Sequence, residues 1–256
     1  MADNTIERKI ELIKKSLITN LIFLITFLII SSFSINYAWA GNVYELEDYQ
    51  ILIVHNGSKE QKNIALTFDD GPHPQYTPEI LDLLSKYNIK ATFFVLGKFA
   101  EKYPDVIKRQ AKEGHEIGNH TYSHINIRKT SKQQFKEEFE KTQSIIFSLT
   151  GIRPKVFRPP YGYYNESVIN IASDKSCDVI LWSSKQDSKD WRNPEVDKIV
   201  STTISNIENG DIVLFHDYVY YDTSNTVEAL KVIIPELIDK GYKFVTVSEL
   251  IKLSQY

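Results

Sequence analysis

The chain has 256 residues, 42% of them hydrophobic and 25% charged, with 30 Lys and Arg against 33 Asp and Glu. These proportions exclude collagenous and low-complexity chains and allow one large domain with a substantial core. A formal net charge of −3 argues against a nucleic-acid partner, and the single cysteine, Cys177, excludes an intramolecular disulfide and a multi-cysteine metal site.

Residues 1–16 are polar and carry Arg8, Lys9, Lys14 and Lys15, whereas only Thr19, Asn20 and Thr26 interrupt the apolar run from Leu17 to Ile30. Ala38-Trp39-Ala40 before Gly41 then supplies a small-x-small site, completing the parts of a secretory signal peptide. A retained membrane anchor over residues 17–35 is the competing reading, because that stretch approaches the roughly 20 residues of a membrane span. Either reading places the remainder outside the cytoplasm: extracellular, in a cell wall, or on the outer face of the membrane. The expected division is residues 1–40 as signal or anchor, 41–61 as a lead-in, and 62–253 as the main domain. An exported domain without a disulfide relies on its core or on a bound metal.

After residue 41 strand-like apolar runs alternate with helical patterns. Tyr49–Val54 reads as an edge strand turning at Asn56-Gly57, and Ile64–Phe68 as the first inner strand. A helix is predicted from Pro78 to Tyr87, with Thr77 as its N-cap. Ala91–Leu96 is a strand, Pro104–Lys112 a helix ending at Gly114, and Glu116–Asn119 a short strand. A long helix spans about Ser131 to Leu149 and ends at Gly151. Strands at Lys155–Phe157, Asp178–Trp182, Asp211–Phe215 and Lys243–Val247 enclose helical patterns at Glu166–Ser173, Pro194–Ile207 and Ser224–Asp239. Such alternation without a linker predicts parallel pairing through right-handed crossovers in one barrel-like α/β domain. Reacting residues then belong at the carboxyl ends of the strands.

Five polar groups stand at those ends. Asp69-Asp70-Gly71 follows the first inner strand; read alone, it is either a polar turn or a pair of carboxylates that would be costly to bury unpaired. His120 and His124, four apart, would meet on one face of a helical turn, a spacing suited to one metal, although two surface histidines would look the same. Arg158-Pro-Pro-Tyr-Gly162, Asp187-Ser-Lys-Asp190-Trp191 and Leu214-Phe-His216-Asp217 complete the set. His55, His73 and His115 are given no metal role. The aromatics of Tyr161-Gly-Tyr163-Tyr164 and Tyr218-Val-Tyr220-Tyr221 suit either sugar stacking or plain packing at loop bases.

Taken in order, Thr-Phe-Asp-Asp-Gly, His-x-x-Ser-His, Arg-Pro-Pro-Tyr-Gly, Asp-Ser-x-Asp-Trp and Leu-x-His resemble the five motifs of the polysaccharide deacetylases of carbohydrate esterase family 4, over roughly residues 62–253. The resemblance implies an irregular (β/α) barrel and metal-dependent N-deacetylation of an N-acetylated sugar polymer. It implies one divalent metal ion on Asp70, His120 and His124, zinc first, with cobalt, nickel or manganese as alternatives. It makes Asp69 the general base and has Arg158 hold Asp69 in place, with its pKa low enough to stay ionised. His216 becomes the general acid, with its pKa raised by Asp190. The Tyr161 N–H becomes an oxyanion donor, and Trp191 and Leu214 an apolar wall for the acetyl methyl. Asp187 and Asp217 receive no role. Export suits peptidoglycan, with N-acetylglucosamine as the preferred sugar and a monomer as the expected state. Chitin oligomers, an O-acetylated polysaccharide and a non-catalytic sugar-binding wall protein are the alternatives. A non-haem iron triad on the same ligands would leave Asp69, Arg158 and His216 without work.

Overall fold

A computed structural model describes residues 52–254. The expected export segment, the Ala38–Ala40 site and the first residues of the lead-in strand lie outside the described residues. Within them the strands are β1 (Ile53–Val54), β2 (Asn63–Asp69), β3 (Thr92–Val95), β4 (Glu116–Asn119), β5 (Val156–Phe157), β6 (Asp178–Ile180), β7 (Ile212–His216) and β8 (Lys243–Phe244). The helices are α1 (Tyr76–Lys86), α2 (Gly97–Lys102), α3 (Pro104–Lys112), α4 (Lys132–Thr150), α5 (Glu166–Ser173), α6 (Val196–Ser205), α7 (Asn225–Asp239) and α8 (Val247–Leu253).

All strand pairs are parallel, in the order β1-β6-β5-β4-β3-β2-β7, with β8 beside the start of β2. Strand–helix alternation therefore gave the expected α/β barrel, and its irregularity lies between the end strands β1 and β7. Loop contacts bridge that seam instead of a strand ladder. Asn56 forms a bridge with Asp211, Gly57 N–H donates to the Gly210 carbonyl at 2.7 Å, and Ser183 N–H donates to the Ile212 carbonyl at 3.0 Å.

Every residue of β2 is buried, because β3 and β7 flank it and helices cover it. Phe68 stacks on Phe93 at 5.0 Å and on Phe215 at 6.0 Å, tying β3 to the two strands that end in Asp69 and His216. A second apolar cluster gathers Phe135, Phe139 and Phe157 around Cys177, whose thiol pKa burial raises far above its ordinary value. That thiol is a packing residue.

Several helix ends follow the sequence. Ser131 and Gln134 form a reciprocal capping box at the start of α4, and Gly151 closes it in the left-handed region at φ 74°. Two short helices, α2 and α8, were not foreseen. The strand expected to reach Val247 stops at Phe244, because Thr246 and Glu249 form a second capping box that starts α8.

Thr77 departs from its expected part. Helix α1 begins one residue earlier, at Tyr76, and its N-cap Gln75 makes no side-chain cap. The Thr77 hydroxyl instead donates to Asp217 Oδ2 at 2.6 Å and accepts from the His73 N–H at 2.7 Å. Asp217 is itself buried, and burial pushes its carboxyl pKa up to about 7. Its carboxylate lies so close to Gly71 that a Cβ there would fall 2.2 Å from either oxygen. The loop after β2 is thereby fastened to the end of β7. Thr77→Val keeps the shape but strips Asp217 of its donor. Chemical denaturation of the variant is expected to show a loss of about 1–3 kcal/mol, the cost of a buried polar group without its partner.

Candidate active site

Asp69 ends β2, and its carboxylate meets the guanidinium of Arg158, which follows β5 and is wholly buried. Arg158 Nη1 donates to Asp69 Oδ1 and to Thr67 Oγ1, both at 2.8 Å, while Nη2 donates to the Leu181 carbonyl at 2.9 Å. Its plane also lies 4.1 Å from the Phe94 ring centroid. The buried charge is thus paired and hydrogen-bonded, the condition under which burial is tolerable. Burial drives the Asp69 pKa up and Arg158 draws it down, and the carboxyl stays above its ordinary value.

Beside this pair, Asp70, His120 and His124 bring one ligand atom each to within 4.8 Å of one another. Nε2 of His120 and of His124 lie 3.5 and 3.4 Å from Asp70 Oδ1. The two histidines do not share a helical turn as their spacing suggested. They sit on a loop after β4 in which Thr121 and His124 take positive φ, 68° and 63°. Side chains hold that loop: Asn119 Oδ1 accepts the Thr121 N–H at 2.8 Å, and Glu138 of α4 accepts both the N–H and the hydroxyl of Ser123.

The donor set fits a divalent cation. Asp70 Oδ1 is buried without a hydrogen-bond partner. His120 Nδ1 lies 2.6 Å from the Arg158 carbonyl, a contact that places the proton on Nδ1 and leaves the Nε2 lone pair facing Asp70. Burial lowers the His120 pKa to about 3, so the ring is neutral, as a ligand must be. One carboxylate oxygen and two imidazole nitrogens match a catalytic site with open positions.

His216, at the end of β7, points its Nδ1 at Asp190 Oδ1 at 2.8 Å. Asp190 is fully buried, and its Oδ2 accepts from the His216 N–H at 2.8 Å and the Thr226 hydroxyl at 2.9 Å. Burial alone would depress the His216 pKa; the Asp190 carboxylate overrides it and takes the imidazole up to about 9.

One cavity of about 460 Å³ joins these groups. Asp69, Asp70, His120, His124, Tyr161, Trp191, Leu214 and His216 line it, while Arg158 and Asp190 stand behind the wall. Sequence reasoning missed Trp182 as a wall residue, and missed Thr67 and Thr226 as supports, because a lone apolar or hydroxyl residue in a strand or helix carries no signal of its own. The aromatics divide: Tyr218, Tyr220 and Tyr221 line the cavity, whereas Tyr163 and Tyr164 pack on the second apolar cluster. Four non-glycine residues of the lining, Asp70, His124, Tyr161 and Lys189, have positive φ. Strain of this kind persists only where the surrounding structure holds it.

A profile of the polysaccharide deacetylases matches residues 56–180. A peptidoglycan-N-acetylglucosamine deacetylase of Bacillus cereus is 45% identical over 192 residues, 75% of this chain and 89% of the relative. A peptidoglycan-N-acetylmuramic acid deacetylase of Bacillus subtilis is 43% identical, over 74% of this chain and 39% of its own length. Among solved structures, a peptidoglycan N-acetylglucosamine deacetylase crystallised with an N-oxidanyl-benzamide superposes with a TM-score of 0.75 at 39% identity, covering 78% of this chain and 92% of that one. With five motifs converging on one cavity of a parallel barrel, the chain belongs to the polysaccharide deacetylases of carbohydrate esterase family 4.

Proposed function

We propose that the chain is an exported hydrolase that removes acetyl groups from N-acetylglucosamine residues of peptidoglycan. The observation that carries this reading is a base-type pair, Asp69–Arg158, and an acid-type pair, His216–Asp190, bordering one cavity with the Asp70, His120 and His124 cluster. The peptidoglycan assignment draws on the relatives' substrates, and the outside location on the apolar segment within residues 1–40. Zinc is the first candidate for the ion, ahead of cobalt, nickel and manganese, and the working state is a monomer. Membrane attachment through residues 17–35 accompanies an uncleaved signal.

An amide is a poor electrophile, so its hydrolysis needs an activated water, a stabilised oxyanion and a protonated leaving nitrogen. A divalent ion on Asp70, His120 and His124 supplies Lewis acidity toward the water and the acetyl carbonyl. Asp69 takes a proton from the attacking water: Oδ1 is held by Arg158, while Oδ2 lies 3.7 Å from His120 Nε2, on the side of the ligand cluster. The Tyr161 N–H serves the oxyanion, carried by a backbone at φ 60°. His216 Nε2 gives its proton to the sugar nitrogen as the C–N bond breaks, releasing acetate and the free amine. Trp191 and Leu214 bound the space for the methyl group.

Purified protein should release acetate from peptidoglycan, and chelation should abolish release until the metal is restored. Better turnover of chitin oligomers would move the substrate away from the wall, and silence on both, from metal-loaded protein, would sink the reading. Asp69→Asn is expected to retain bound metal, measured by elemental analysis, while kcat falls by about 10²-fold or more. The pH profile of kcat/KM tests the acid. With its pKa raised to about 9 by Asp190, His216 is protonated below that value, so the alkaline limb should fall as pH rises through it, while the acid limb reports protonation of Asp69. Asp190→Asn removes the charge that raises the pKa while leaving burial, which lowers it, so the alkaline limb should shift toward lower pH. An unmoved limb would remove His216 as the acid.

A further inference from the structure

Exposed large apolar side chains gather at the two ends of the barrel. Tyr161, Trp191, Tyr220 and Tyr221 surround the cavity at the carboxyl ends of the strands. Ile53, Phe147, Ile152, Ile238 and Leu253 belong to the opposite end: the start of β1, the close of α4 and α7, and α8. Helix α8 lies across that end, because its Val247 N–H donates to the Thr92 hydroxyl at 2.9 Å and its Ser248 N–H to Glu116 Oε2 at 3.1 Å. Thr92 and Glu116 are the first residues of β3 and β4. Only Val232, within α7, falls outside this division.

The turn before β5 concentrates the feature. Ile152 is 65% exposed, yet its backbone is fixed: Gly151 N–H donates to the Phe147 carbonyl at 2.8 Å, and the Thr150 hydroxyl donates to the Ile146 carbonyl at 2.8 Å while accepting the Ile152 N–H at 3.1 Å. The Arg153 guanidinium lies 4.3 Å from the Phe147 ring centroid. A cavity of about 220 Å³ is walled there by Ile117, Ile146 and Ile152, with Arg153 and Lys155 as its cations. Its one acid, Glu116, is already held by the Thr92 and Ser248 hydroxyls.

Ion pairing leaves this end positive. At or just before the strand starts, Lys62, Lys90, Arg153, Lys155 and Lys243 make no ion pair among the described residues, and of the acids only Glu60 and Asp174 stand equally alone. Glu113 is engaged by Arg109, Glu208 and Asp211 by Lys59, and Asp178 by the Leu52 N–H. The chain enters the barrel at this end, through Leu52, and the apolar run Leu17–Ile30 precedes that entry in the sequence. Surfaces that dock on bilayers combine apolar side chains that reach the headgroup boundary with Lys and Arg that meet anionic lipid.

We infer that the strand-start end of the barrel, through Phe147, Ile152, Arg153 and Lys155, is a docking surface for an anionic lipid bilayer. All the strands are parallel, so docking there turns the catalytic cavity away from the lipid, toward a polymer lying outside it. This rests on the exported location proposed above and adds the orientation in which the site works. The surface takes no part in the chemistry.

The test reconstitutes the full-length chain with vesicles of mixed phosphatidylglycerol and phosphatidylcholine. An environment-sensitive dye is placed on Ile152→Cys or, at the cavity mouth, on Tyr220→Cys; Cys177 is buried and stays unlabelled. The dye at position 152 should shift its emission to shorter wavelength and be quenched by spin-labelled lipid, while the dye at position 220 reports water. Vesicles of phosphatidylcholine alone should lose the shift, and so should Arg153→Glu with Lys155→Glu, which should still release acetate from soluble N-acetylglucosamine oligomers at the wild-type rate. An unshifted dye at 152 on vesicle-bound protein, equal shifts at the two positions, or protein that does not sediment with the vesicles would each overturn the docking surface. Failure of wild type to release acetate would count against the deacetylase reading and leave the dye to decide the surface. Digestion of the chain by protease added to intact expressing cells tests export on its own.

Discussion

The wholly buried guanidinium of Arg158 is the constraint around which the site is organised. It ties β5 to β2 through Asp69 and Thr67, reaches past β6 to the Leu181 carbonyl, and offers its own backbone carbonyl to His120 Nδ1. One residue therefore sets a carboxylate, a strand spacing and an imidazole tautomer together. Arginine suits this work because its planar fork keeps several donors in fixed directions and stays charged when buried. Lysine in its place would offer one nitrogen to acceptors that arrive from β2 and from the end of β6.

The loops beyond the strand ends supply what the strands cannot. Asp70 follows Asp69 directly, and in a continuing strand the two side chains would point to opposite faces. A positive φ of 72° at Asp70 breaks that alternation and lets both carboxylates face one cavity. The Thr77–Asp217 hydrogen bond and the close seat of Gly71 on Asp217 then hold the turn. A related device operates after β4, where positive φ at Thr121 and His124 and the grip of Glu138 on Ser123 replace the helical turn that the His120–His124 spacing suggests.

Legibility in the sequence follows the same divide. Strand and helix alternation is a matter of local periodicity, and it located β2, α3, β4, α4 and α5 nearly to the residue. The candidate site residues were legible because paired acids, histidines and arginine at strand ends are expensive unless they have partners. The fate of Thr77 was not legible, since an N-cap preference is local and its partner Asp217 lies 140 positions away. The rise of the Asp69 pKa was not legible for a similar reason: the Arg158 contact follows from motif pairing, but the extent of burial depends on the whole barrel closing over both. Tyr163 and Tyr161 differ by two positions and by nothing in type, yet only Tyr161 lines the cavity, because the chain turns at Tyr161.

His120 and His216 show how far environment, and not residue type, decides chemistry. Both are enclosed at strand ends of one cavity, and burial disfavours the charged form of each. For His120 the Nδ1 contact is a neutral carbonyl, and Asp70 on the other side is answered by His124 and Arg158, so the imidazole pKa falls to about 3. For His216 the Nδ1 contact is the Asp190 carboxylate, which no basic side chain pairs among the described residues, and the pKa rises to about 9. Near neutral pH one ring is a lone-pair donor suited to a cation and the other a proton donor suited to a leaving nitrogen. Two identical side chains are separated in this way by their surroundings, their Nδ1 partners above all.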